Sequence, residues 1–127
     1  MSPRESAVIA VVDNEASVRK ALVRLFRAAG IDARVFASGS EFLATLQSCR
    51  YDCLVLDLHM PGLNGYHVQS ECTLADVRLP TVIITAYDEP GMRQRCLAAG
   101  AVAYICKPFD DSELLGAIEE ALTSSPP

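Results

Sequence analysis

The sequence has no apolar run close to the ~18 residues that a membrane helix requires, no paired C-x-x-C, and no surplus of positive charge. Each absence removes a class of protein. Without a long apolar run there is no membrane span. The opening stretch "MSPRESAVIAVVDNE" meets an acidic residue before a signal-peptide core could form, so the expected location is the cytoplasm. Without paired cysteines neither a disulfide framework nor a zinc site is suggested. Cys49, Cys53, Cys72, Cys96 and Cys106, odd in number, read as reduced thiols that act as small core or surface residues. With a net charge of −5 and an acidic isoelectric point, the chain lacks the basic face of a nucleic-acid module, so no direct grip on DNA or RNA is expected.

What is present is one alternation, repeated through 127 residues, half of them apolar. That length suits one domain with a sizeable core. "AVIAVV" (7–12) is a short β-branched run, and "EASVRKALVRLFRAAG" follows with Val18, Leu22, Leu25 and Ala29 on one helical face, closed by Gly30. "ARVF" (33–36) precedes "GSEFLATLQSC", where Phe42, Leu43 and Leu46 form a stripe and Ser40 is the expected cap. "CLVL" (53–56) leads to "YHVQSECTL", "TVII" (81–84) to "MRQRCLAAG", and "AVAYI" (101–105) to "DDSELLGAIEEALTSSPP". The strands are nearly continuous hydrophobic runs, as a parallel sheet covered on both faces requires. The pattern predicts an α/β fold: a doubly wound five-stranded parallel sheet with five helices. Residues 1–6 read as a disordered N-terminus, 7–122 as the domain, and 123–127 as a tail or the start of a linker.

In such a sheet ligands bind outside the carboxyl ends of the strands, where strand order reverses. The first strand ends at Asp13, Asn14 and Glu15, the third at Asp57, the fourth at Thr85 and Ala86, and the fifth at Lys107 and Pro108. Taken singly, each has an ordinary explanation. Asp13 or Asn14 could cap a helix, Thr85 could be a β-branched strand residue, and Lys107 a solvated loop lysine. Taken together they place oxygen ligands for a hard cation, an acceptor carboxylate and an opposing ammonium on one edge, the set that phosphoryl chemistry with Mg²⁺ demands. Asp57 poses the sharpest question, because burying a carboxylate at the end of "LVLD" is costly unless cations or donors receive it.

The ensemble "VVDNE", "LVLDLHMPGLNG", "VIITAY" and "AGAVAYICKPF" resembles the receiver domain of bacterial two-component response regulators over residues 7–122, and "DEPGMRQRCLAAGAVAYICKPF" is most similar to receivers of the nitrogen-fixation regulator type. The resemblance implies a flavodoxin-like topology. It further implies that Asp57 is the phosphoacceptor of a phosphorelay, attacking the phosphohistidine of a sensor histidine kinase or phosphotransfer protein. Mg²⁺ would be held by Asp13, Asn14, Asp57 and the backbone carbonyl of His59. Lys107 and Thr85 would bind phosphoryl oxygens, with backbone NH groups after Asp57 and at Ala86 completing the cradle, and Lys107–Pro108 would be cis. Thr85 and Tyr104 would form the switch. The surface of helix four, strand five and helix five, with Arg93, Arg95, Tyr104 and Glu113, would face a downstream effector or a second copy in a phosphorylation-dependent dimer. The chain would thus be a signalling domain that assists its own phosphorylation and dephosphorylation, not a conventional enzyme.

One residue departs from the family's pattern. Its receivers usually end strand one with two adjacent carboxylates, and here the second is Asn14, so a weaker magnesium site is expected, with Glu15 next in sequence as a partial substitute. Two other classes set the alternatives: a receiver-like module that acts by contact alone, and a phosphoaspartate hydrolase. The hydrolase would want a second Asp two residues after Asp57, where His59 stands. Lys107, whose main partner is expected to be a phosphate, should be dispensable to the unphosphorylated fold.

Overall fold

A computed structural model describes residues 7–62, 64–75 and 78–124. Five strands alternate with five helices: β1 (Val8–Val12), α1 (Ala16–Ala28), β2 (Asp32–Phe36), α2 (Gly39–Leu43), β3 (Cys53–Asp57), α3 (Gly65–Leu74), β4 (Thr81–Thr85), α4 (Met92–Ala98), β5 (Ala101–Cys106) and α5 (Asp111–Ser124). All strands pair in parallel in the order β2-β1-β3-β4-β5. The chain steps outward from β1 to β2, then returns across β1 to build β3, β4 and β5. The reversal point therefore lies between β1 and β3, where a doubly wound sheet opens its crevice.

Period-two alternation divides each central strand between two cores. Ile9, Val11, Val55, Val82 and Ile84 point to the face covered by α1 and α5, meeting Leu22, Phe26, Leu114 and Ile118. Ala10, Val12, Leu54, Leu56 and Ile83 point to the other face, against Phe42, Val68 and Cys96 of α2, α3 and α4. With both faces covered, a strand gains nothing from polar alternation, which is why the runs are apolar throughout. All five cysteines are unpaired thiols, and Cys53, Cys72 and Cys96 are buried as small core residues.

Details differ from the sequence reading at several points. The cap of α2 is Ser38, whose hydroxyl accepts from the Glu41 amide, and not Ser40, which lies inside the helix. The α2 helix stops at Leu43 and continues as turns through 48, held by Thr45, whose hydroxyl donates to the Phe42 carbonyl and shares a 2.6 Å bond with Tyr51. On α1 the deepest residue is Phe26, off the expected Val18-Leu22-Leu25-Ala29 line; of that line Leu22 is buried, and Val18, Leu25 and Ala29 are only partly so. The expected disordered residues 1–6 and the end of the tail, 125–127, lie outside the described residues, while α5 runs to Ser124, two residues past the expected domain end. Among the described residues no helix is long and apolar enough to cross a membrane.

Candidate functional site: a carboxylate pair bridged by a lysine

The register of β1 on β3 sets Val12 beside Leu56, so the next residues, Asp13 and Asp57, stand side by side at the reversal point. Both are buried, at 0% and 3% exposure. Lys107 reaches them from the end of β5: its Nζ lies 2.9 Å from Asp13 Oδ2 and 3.8 Å from Asp57 Oδ2, and its side chain is 15% exposed. Two features set its approach. The Lys107 amide donates to the Thr85 carbonyl at 2.7 Å, locking the β5 end to β4, and the Lys107–Pro108 peptide is cis, as the resemblance implies.

The carboxylates are not equivalent. Asp13 is fully engaged: Oδ1 accepts from the Glu15 amide at 2.9 Å and Oδ2 from Lys107, while Arg19 Nη1 donates to its main-chain carbonyl at 2.8 Å. Among the described residues, Asp57 has only a long 3.4 Å bond from the His59 amide and the more distant lysine. Burial with so few donors, and next the negative charge of Asp13, push the Asp57 carboxyl up from 3.8 to about 6, with Lys107 and His59 opposing. Asp57 is thus a carboxylate short of donors that is still ionised at neutral pH.

The remaining expected residues fall into two groups. Thr85 is buried, and its hydroxyl is turned into its own loop, donating to the Tyr87 carbonyl at 3.0 Å and accepting from the Tyr87 amide at 3.1 Å. Tyr104 is also buried, with its hydroxyl donating to Asp88 Oδ1 at 3.1 Å and the Arg93 guanidinium 5.9 Å from its ring centre. Thr85 and Tyr104, the two residues expected to form a switch, are thus both tied to the loop between β4 and α4. Asn14 and Glu15 are exposed, and Glu15, which occupies the cap position of α1, makes no side-chain capping bond. Of the expected cradle, the Leu58 amide is committed to the Ile84 carbonyl in the sheet, leaving the His59 amide as the one that faces the Asp57 carboxylate.

The expectation that Lys107 is idle without phosphate does not survive this geometry. Its ammonium compensates two buried carboxylates, and removing one partner of such a group leaves uncompensated charge.

The residues suit a magnesium ion. Among the described residues no group of three or more His, Cys, Asp or Glu side chains is arranged to hold a metal. Mg²⁺, however, is usually bound through one or two carboxylates and keeps several waters. Two adjacent buried aspartates, one of them short of donors, provide that set, with hard oxygens throughout.

Sequence reasoning missed three contributors. The His59 imidazole reaches across the crevice mouth, with Nε2 3.1 Å from the Tyr87 carbonyl and 3.6 Å from Glu89 Oε1, and its ring is edge-on to Tyr87. Gly65 opens α3 against the Asp57 main chain, where a Cβ would lie 2.7 Å from the Asp57 carbonyl oxygen. The "NG" before the "YHVQ" segment signals a helix start but not this close approach. Arg19 carries no motif signal, since any arginine on α1 would fit the same periodicity.

A parallel sheet of this order, with two carboxylates and a lysine meeting at its reversal point, defines the receiver class of doubly wound signalling domains. The chain belongs to the response regulator receiver domain family, whose model matches residues 9–119. It is 36% identical over 115 residues to Nodulation protein W of Bradyrhizobium diazoefficiens, covering 91% of this chain and 51% of that protein. It is also 36% identical over 126 residues to the response regulator protein TodT of Pseudomonas putida, covering 99% of this chain and 55% of that protein. Among solved structures it is similar to FixJ-N, with a TM-score of 0.89 at 30% identity and coverage of 97% and 98% of the two chains. A receiver protein from Burkholderia phymatum gives a TM-score of 0.83 at 42% identity, covering 96% and 99%. These relatives agree with the nitrogen-fixation regulator type of receiver. The chain spans about half the length of the curated relatives it matches.

Proposed function

We propose that this receiver takes a phosphoryl group onto Asp57 from the phosphohistidine of a sensor histidine kinase or phosphotransfer protein, in a magnesium-dependent step, and thereby changes a partner-binding surface. The observation that carries the reading is the asymmetry of the pair: Asp13 is saturated with donors, whereas Asp57 is buried and nearly free of them. An Asp57 carboxylate oxygen attacks phosphorus; an O–P bond forms as the P–N bond breaks, and the imidazole leaves with the bond's electron pair. Asp13, Asp57, the His59 carbonyl and, with less charge than a carboxylate, Asn14 would hold the ion. When bound, Mg²⁺ supplies charge neutralisation for the transferring oxygens. Lys107, already 3.8 Å from Asp57, supplies a second cation.

The phosphoryl group brings about −1.5 to −2 charges and three strong acceptors. Thr85 turns its hydroxyl to one of them and gives up its two bonds to Tyr87. The loop that carries Tyr87 and Asp88 is thereby released, and Tyr104, held by Asp88, responds with it. The face of α4, β5 and α5, with Arg93, Arg95, Tyr104 and Glu113, then reads out the change to an effector or a second copy. The test is incubation with acetyl phosphate and Mg²⁺ followed by intact mass. A gain of one phosphoryl group that decays on standing is the expected result. Steady phosphate release without a mass gain would indicate a hydrolase, and no reaction would indicate a module acting by contact alone.

A further inference from the structure

Gln69 of α3 is 5% exposed, and its Oε1 is, among the described residues, the one buried side-chain oxygen or nitrogen without a hydrogen-bond partner. Its other half is used: Nε2 donates to the Cys96 carbonyl at 3.3 Å. Rotating the amide would set two acceptor oxygens against each other, so chemistry dictates this orientation. Cys96 lies in the last turn of α4, where carbonyls lack helical donors. The amide that would serve it in a longer helix, that of Gly100, bonds Leu97 instead, and the Ala99 amide bonds Arg95. Gln69 therefore caps α4 from a neighbouring helix. The other end of α4 has no side-chain cap, since Gly91 stands there.

The same helix touches the Asp57 main chain. The Gly65 amide donates to the Leu58 carbonyl at 2.9 Å, and a Cβ at Gly65 would meet the Asp57 oxygen at 2.7 Å and Leu58 Cα at 2.9 Å, so α3 begins flush against the phosphoacceptor's backbone. Gln69 follows four residues later, on the same side of the helix as Gly65. A contiguous route runs from Asp57 through Gly65 and one turn of α3 to the carbonyl end of α4.

We propose that Gln69 is a latch that positions α4 from α3 and lets go when the Asp57 loop changes. The unpartnered Oε1 is what makes it a latch rather than a fixed brace. The bond to Cys96 is made while the other half of the amide is dehydrated without compensation, whereas a released Gln69 could hydrate both halves. The two arrangements are thereby brought near balance. The coupling to Asp57 rests on the phosphoacceptor reading above; the latch on α4 does not.

The test is hydrogen exchange at the Ala99 and Gly100 amides, which close α4, in the wild type and in Gln69→Met, a variant of similar length that cannot donate. Without phosphodonor, Gln69→Met should exchange these amides about tenfold faster, as loss of one hydrogen bond allows, with sheet amides unchanged. Acetyl phosphate with Mg²⁺ should speed the same amides in the wild type and add little in the variant. Unchanged exchange in the untreated variant would overturn the latch. Faster basal exchange with a full response to acetyl phosphate would reduce Gln69 to a structural cap and overturn its coupling role. If intact mass shows that the wild type takes no phosphoryl group, the phosphoacceptor reading fails and the release of the latch fails with it, while the untreated comparison still decides whether Gln69 holds the end of α4.

Discussion

Replacing Asp57 with Asn should stabilise the unphosphorylated protein at neutral pH while abolishing its chemistry. Burial and the neighbouring Asp13 raise the Asp57 carboxyl from 3.8 to about 6, so the folded state holds this proton more tightly than the unfolded chain does. The sign is unfavourable to the native state. Below about pH 4 both states are protonated and there is no penalty; as pH rises through about 6 the folded carboxyl must ionise in its buried setting, and stability declines to a plateau. The full interval corresponds to about 3 kcal/mol, and relaxation around a crevice open to water reduces it to about 1–3 kcal/mol. Asn keeps the shape and an acceptor for the His59 amide but carries no charge. Urea unfolding of both proteins without metal, at intervals from pH 4 to pH 8, isolates the contribution. The difference should be near zero at pH 4 and reach about 1–3 kcal/mol in favour of Asp57→Asn by pH 7. A difference that does not vary with pH, or a variant less stable at pH 7, would refute the claim that Asp57 is held in a destabilising ionised state.

Lys107→Met removes the ammonium shared by both aspartates while keeping an apolar stem; it should cost about 2–4 kcal/mol in urea unfolding at pH 7, less at pH 5, and a loss under ~0.5 kcal/mol would show that the bridge is not compensating buried charge. Asn14→Asp adds a carboxylate at an exposed position beside Asp13, so Mg²⁺ titration should show about tenfold to hundredfold tighter binding, corresponding to about 1–3 kcal/mol; equal affinities would mean that Glu15 or water already serves. Gly65→Ala, which a surface helix would welcome, should instead destabilise by about 1–3 kcal/mol, because its Cβ meets main-chain atoms that cannot rotate away; thermal unfolding at or above the wild-type midpoint would contradict this.

Much of this site could be read before folding because its residues sit at the ends of apolar runs, and in a parallel sheet all such ends share one edge. Asp13, Asp57, Thr85 and Lys107 were legible for that reason, and so was the alternation that orders them. What escaped depends on direction and distance, which periodicity does not encode. Lys107 could be placed at the crevice but not on Asp13, because a flexible stem reaches several partners equally well in sequence terms. Thr85 and Tyr104 were assigned to the switch, yet their bonds to Tyr87 and Asp88 depend on the path of a loop with no periodic signal. Ser40 lost the cap to Ser38 because "SGS" offers two hydroxyls, and the chain's turn into α2 selects the earlier one. Gln69 reads as an ordinary polar helix residue until α4 is laid beside it.

The central claim is that the under-bonded member of the carboxylate pair is the phosphoacceptor. Borohydride reduces an aspartyl phosphate to homoserine and leaves free carboxylates intact, so it marks the acceptor permanently. Tryptic cleavage at Arg50 and Arg78 separates Asp57 from Asp13, which falls before Arg19. After treatment with acetyl phosphate and Mg²⁺, then borohydride, peptide sequencing by mass should find homoserine at position 57 and aspartate at position 13. Homoserine at position 13, or aspartate at both after a measured mass gain, would contradict the account.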